Sequence, residues 1–145
     1  WTAASWGSAI SLSKDQPERI AEQPIVESLI DRALQLDEGF DAGAIHSFLI
    51  TYEMARKGDA SDPVARARQH YERALELSER QSAVPMVAFA ESVCIARQDR
   101  RQFEEVLHHA IAIDVDARPQ TRLMNVVMQR RAQWLLSRAD DLFVQ

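Results

Sequence analysis

Apolar residues recur along this chain at three- and four-residue spacing, and short polar stretches carrying Pro, Gly or Asp interrupt them. That period is the signature of helices with one face buried. Punctuation marks their starts. Asp15 and Glu18 have capping-box spacing with Pro17 in the same turn, Asp62 precedes Pro63, and Asp99 precedes Gln102 by three. Pro85 and Pro119 also suit helix starts. Stops fall near Asp37-Glu38-Gly39, Lys57-Gly58-Asp59 and Ile113-Asp114-Val115-Asp116. The pattern predicts helices near 2–13, 17–37, 41–57, 62–79, 84–97, 99–113 and 119–143, with Pro24 kinking or splitting the second.

Three helix ends align: Leu29 to Asp37, His70 to Ser78, and Val106 to Asp114. Each has a large apolar residue three before a central alanine and aliphatic residues one and three after it. The alanines are Ala33, Ala74 and Ala110, 41 and 36 residues apart, near the roughly 34-residue period of tetratricopeptide (TPR) repeats. A small residue lets a neighbouring helix approach, and the bulky residue a turn earlier fills the groove between the two. Helices 41–57 and 84–97 carry apolar residues on several faces, as a sandwiched helix does. The expected fold is all-α, with TPR-like helical hairpins stacked as an α-solenoid and a C-terminal capping helix, over residues 1–145 as one domain. A helical bundle without repeats would carry the same residues.

Composition narrows the classes. With 4 Gly and 5 Pro, the 145 residues lack the turns a β-sandwich needs. A formal charge of −5 with both signs interspersed leaves no basic footprint for nucleic acid. A single cysteine, Cys94, excludes an internal disulfide and a multi-cysteine metal site, and its apolar surroundings predict a buried small hydrophobe. No run of 18 apolar residues is long enough to span a bilayer.

Catalytic chemistry finds no foothold. His108 and His109 are adjacent and diverge by about 100° on a helix, and His46 and His70 are read with them as solvated surface side chains. Glu105 and His108 have di-iron spacing, but no second Glu-x-x-His occurs. Nucleophile elbows, phosphate-binding loops and zinc signatures are missing. The expectation is therefore binding, with no catalytic residue, metal or cofactor. Trp6, Phe48, Tyr52, Met86, Phe89, Met124 and Met128, together with Trp134, form either the repeat core or the lining of an apolar channel for a hydrophobic small molecule. In the C-terminal helix Arg118, Arg122, Arg130, Arg131 and Arg138 lie beside apolar residues, which suits a solenoid cap better than a membrane-surface helix. Arg130 and Arg131 are candidates to meet an acidic patch on a protein partner.

Three stretches carry a more specific likeness: Trp6 to Asp15, Gly43 to Glu53, and Val127 to Leu136. With the Ala-Leu-x-Leu helix ends, they resemble the TatT component family, TPR-containing proteins associated with TRAP-type solute transporters. The resemblance implies a periplasmic, usually lipid-anchored protein that forms a trimer and engages the transporter's periplasmic solute-binding protein. It also implies a hydrophobic channel through which ligand passes. The chain opens at Trp1 and is expected to be the C-terminal portion of a longer exported protein, anchored through a preceding segment. The alternative is a generic TPR adaptor for protein peptides, which would favour Lys, Arg and Asn on the first helices. Ile45, Phe48, Leu49, Val87 and Phe89 stand there instead.

Overall fold

The computed structural model describes residues 1–13, 15–56 and 62–144, and these are helical with no strand among them. The chain separates into two compact units, Trp1–Phe40 and Asp41–Gln145.

The smaller unit holds α1 (Thr2–Leu12), α2 (Pro17–Ile20) and α3 (Gln23–Leu36). Packing of α1 against α3 buries Ala3, Val26 and Ile30. Pro24 stands in the first turn of α3 and the chain breaks before it, so the predicted helix 17–37 is two helices. The capping box at Asp15 does not form. Pro17 takes the first helical position and drives Gln16 to an extended backbone (φ −110°, ψ 99°), so Gln16 becomes the N-cap and contributes no side-chain bond. The first aligned helix end differs from the other two: Ala33 is half-buried and Leu36 is exposed, whereas Ala74 and Ala110 are fully buried.

The larger unit begins within α4 (Phe40–Ala55), whose first turn, Asp41, Ala42 and Gly43, is left-handed with φ of 46°, 53° and 87°. Helices α5 (Pro63–Leu77), α6 (Val84–Phe89), α7 (Arg100–Ile111), α8 (Arg122–Ser137) and α9 (Ala139–Leu142) follow. The predicted stop at Lys57-Gly58-Asp59 lies outside the described residues. Asp62 caps α5 as expected, accepting from Val64 N–H at 3.0 Å with Pro63 at the first position. Asp99 caps α7 through Gln102 N–H at 3.0 Å, but the Gln102 side chain accepts from Arg68 at 3.1 Å and leaves the box half-made. The segment read as one helix over 84–97 passes from α6 into a π-helical turn, Ala90–Cys94, closed by Ile95 N–H on the Ala90 carbonyl at 3.3 Å. Pro119 opens a turn, and α8 starts three residues later at Arg122.

Contacts fix α4 and α5 as an antiparallel pair: Gly43 lies against Ala74 and Leu77, His46 meets His70, and Glu53 meets Arg66. Helix α5 packs on α6, α6 on α7, and α8 on both α6 and α7. Ile50, Val87, Phe89, Val93, Phe103, Leu107 and Leu135 fill the core. Tyr71 stacks on Phe89 at 4.3 Å, and Phe143 meets Phe103 edge-on at 4.9 Å, which ties the C-terminal segment to the core. Gln98 secures that segment, donating to the Leu142 carbonyl at 3.2 Å and accepting from Val144 N–H at 2.9 Å.

Candidate functional site

Helix α8 carries four of the candidate residues, Met124, Met128, Arg130 and Arg131, together with Trp134. Its rotation is set by two amides on its inner face. Asn125, 2% exposed, accepts from Ala83 N–H and donates to the Gln81 carbonyl, both at 2.9 Å. These groups sit just before α6, where backbone polar atoms have no helical partner. One turn later, Gln129 Nε2 lies 3.1, 3.0 and 2.8 Å from the Ala110, Ile111 and Ile113 carbonyls. It closes the C-terminal end of α7, and Ala132 and Leu135 complete the buried stripe. The sequence reading missed both amides. Two carboxamides four residues apart on an otherwise apolar helix face are the signal that finds them, because buried polar groups must be paired.

With the inner face fixed, the outer face follows. Leu123, Val127, Arg130 and Trp134, spaced four, three and four residues apart, are exposed on one side, with Met124 and Arg131 beside them. Leu123 is 76% and Trp134 51% exposed, well beyond an incidental surface leucine. The helix has no acidic residue of its own, yet its cations are mostly answered from outside it. Arg122 pairs with Asp116 at 2.6 Å and Arg138 with Asp141 at 2.9 Å. Arg131 donates through Nε to Glu91 at 2.9 Å and lies 4.5 Å over the Trp134 ring. Arg130 has no carboxylate partner among the described residues. The two arginines read together from sequence thus have different surroundings: Arg131 fixes Trp134, and Arg130 projects a free charge.

The channel candidates separate. In the smaller unit, Trp6 donates its indole N–H to Glu22 at 2.7 Å. On α4, Phe48 and Tyr52 stack at 5.6 Å and are half-buried. Phe89 is wholly buried and Met86 is 5% exposed, both in the core, with Met128 packed against it. Met124 is exposed on α8.

Two buried polar contacts join α4 to α5. The reading of His46 as a surface side chain is corrected: it is 5% exposed, and its Nδ1 lies 2.8 Å from His70 Nδ1, one ring donating to the other. His46 lies on the helix face that continues from Gly43 and is therefore turned toward α5. Glu53, 3% exposed, accepts from Arg66 at 2.5 Å and Arg56 at 3.2 Å, which satisfies a carboxylate that burial alone would penalise. His108 and His109 are exposed, as expected. Cys94 is buried as expected, and burial pushes its thiol up to about 12, with Asp99 adding to the rise. Among the described residues no three metal-ligating side chains converge, and no helix is long and apolar enough to cross a membrane.

Comparison with known proteins bears on this arrangement. The family model of the TRAP transporter T-component matches residues 1–143. An uncharacterized protein of Treponema pallidum (strain Nichols) is 25% identical over 116 residues, covering 80% of this chain and 36% of that protein. The chain spans about a third of that relative's length.

Proposed function

Because this chain belongs to the TRAP transporter T-component family, we propose that it is a periplasmic accessory of a TRAP-type solute transport system that docks on the transporter's solute-binding protein. The outer face of α8 carries this reading. Leu123, Val127 and Trp134 offer an apolar centre, Arg130 an unanswered charge, and Arg131 holds the Trp134 ring in place. Aromatic and arginine side chains of this kind dominate protein interfaces.

In the same reading, the helix pairs are TPR-like hairpins stacked as a solenoid with α8 as its cap. The antiparallel α4–α5 pair and the buried Ala74 and Ala110 support this part. The protein is exported and held at the membrane by a lipid on a segment outside this sequence, and it assembles as a trimer. A hydrophobic ligand passes through an apolar channel to which Phe48, Tyr52 and Met86 of the larger unit contribute.

The test is binding of the immobilised solute-binding protein encoded beside the same transporter. Wild-type protein is expected to bind saturably. Trp134→Glu, a change on an exposed position, is expected to weaken binding by at least about tenfold, the scale of an interface hot spot. Equal binding by a folded Trp134→Glu variant would remove α8 as the docking face, and no binding by the wild type would remove the partner.

A further inference from the structure

Helix α8 meets the π-helical turn Ala90–Cys94 through an ion pair. Glu91, in that turn, accepts through Oε1 from Arg131 Nε at 2.9 Å and from an Arg131 terminal nitrogen at 2.5 Å. The same guanidinium lies 4.5 Å over the Trp134 ring, one turn further along α8. We propose that Glu91 is a positioning residue for the docking face: it holds Arg131 over Trp134 and so fixes the indole in the orientation that a protein partner meets. This inference rests on α8 being the docking face.

Helix α8 cannot hold that indole by itself. Its inner face is committed to the protein through Asn125, Gln129, Ala132 and Leu135. Trp134 points away from that face and is 51% exposed, so few contacts select one of its rotamers. A cation over the ring attracts it, but an arginine on a helix surface is itself free to turn. Two donors of one guanidinium on a single carboxylate oxygen remove that freedom. Pairing also cancels the charge of Arg131, which leaves Arg130 as the unanswered cation of the face.

Glu91 reaches α8 from 40 residues earlier in the chain because of where the π turn places it. Turns of this kind shift the register of a helix and are frequent at functional sites. Ala90, Val93 and Cys94 stay in the core, while Glu91 and Ser92 come to the surface. Ser92 shares a 2.9 Å hydroxyl contact with Thr51 of α4, so the turn is tied to α4 through Ser92 and to α8 through Glu91. A carboxylate on a turn braced in this way is a fixed point for Arg131. An exposed ion pair adds little to stability, and its use here is geometric. An interface side chain ordered before binding spares the complex the cost of ordering it.

Glu91→Ala tests the relay at a partly exposed helical position that alanine suits. In the unbound protein, the nitrogen order parameter of the Trp134 indole N–H, identified by its loss in Trp134→Phe, is expected to fall. In surface plasmon resonance against the solute-binding protein encoded beside the same transporter, the dissociation rate is expected to rise roughly two- to tenfold, the span for ordering one interface side chain. The association rate with an acidic partner should stay the same or rise, because the face loses a negative charge. The proposal is overturned if the indole order parameter does not fall, or if Glu91→Ala keeps the wild-type lifetime of the complex while Trp134→Glu loses binding. Wild-type binding by a folded Trp134→Glu variant would instead remove the docking face, and the role of Glu91 with it.

Discussion

Asn125 shows how much one side chain can hold. Replacing it with leucine keeps the branched heavy-atom layout but strands the Ala83 N–H and the Gln81 carbonyl where both are largely shielded from water. Each buried group left unpaired costs about 1–3 kcal/mol, so Asn125→Leu is expected to lose roughly 2–4 kcal/mol in urea unfolding. Leu123→Asn on the opposite face should change stability by less than about 0.5 kcal/mol, as surface substitutions do. Cys94 gives a prediction in pH. Its thiol rises from 9.0 to about 12, so the folded protein keeps a proton that the unfolded chain releases. Stability is therefore unaffected below pH 9 and falls as pH rises from 9 towards 12. The raised Tyr71 phenol acts in the same direction. Cys94→Ala is expected to flatten part of that alkaline loss in urea titrations, and native Cys94 should resist thiol reagents until the protein unfolds. Rapid labelling of the folded protein at neutral pH would contradict its placement.

Among the elements, the start of α4 depends most on a single residue. Gly43 has φ 87°, and a methyl group there would come within 3.2 Å of Leu77 Cβ and 3.3 Å of Ala74 Cα. Both backbone and space oppose a side chain, so Gly43→Ala is expected to destabilise the larger unit by roughly 1–3 kcal/mol. Gly39 is the contrast, since an added Cβ meets only Asp37 Oδ1 at 3.6 Å. Gly39→Ala should be neutral or stabilise by up to about 1 kcal/mol, and differential scanning calorimetry separates the two. The helices themselves were legible from periodicity and punctuation: Asp62-Pro63 starts α5, and Pro24 splits the second predicted helix. The π-turn after Phe89 was not, because a π insertion keeps the same apolar composition and only shifts register. Nor was the pairing of His46 with His70, 24 residues apart, since it depends on the mutual rotation of two helices rather than on either one's pattern. Of the candidate site, Arg130 and Arg131 were visible as a pair. Their separation into a free charge and a bound one depends on Glu91, 40 residues before Arg131.

At the scale of the whole molecule, that separation allows steering to be distinguished from scaffolding. The chain carries a formal charge of −5, and a free cation on α8 gives a local field of the opposite sign. If α8 is the docking face, reversing Arg130 changes the encounter with an acidic partner without touching an internal contact. One charge reversal felt across about 10 Å of salt water is worth a few tenths of a kcal/mol, so Arg130→Glu is expected to lower the association rate roughly 1.5- to twofold. The effect should shrink as ionic strength rises, and the thermal unfolding curve should not move. Arg131→Glu is a different experiment. It places a carboxylate beside Glu91 and removes the cation over Trp134, so it should release the indole and shorten the lifetime of the complex, with a small loss of stability. Surface plasmon resonance across a salt series reads both variants, and tryptophan fluorescence reports the released ring. Equal association rates for wild type and Arg130→Glu at every salt concentration would show that encounter is not steered through α8.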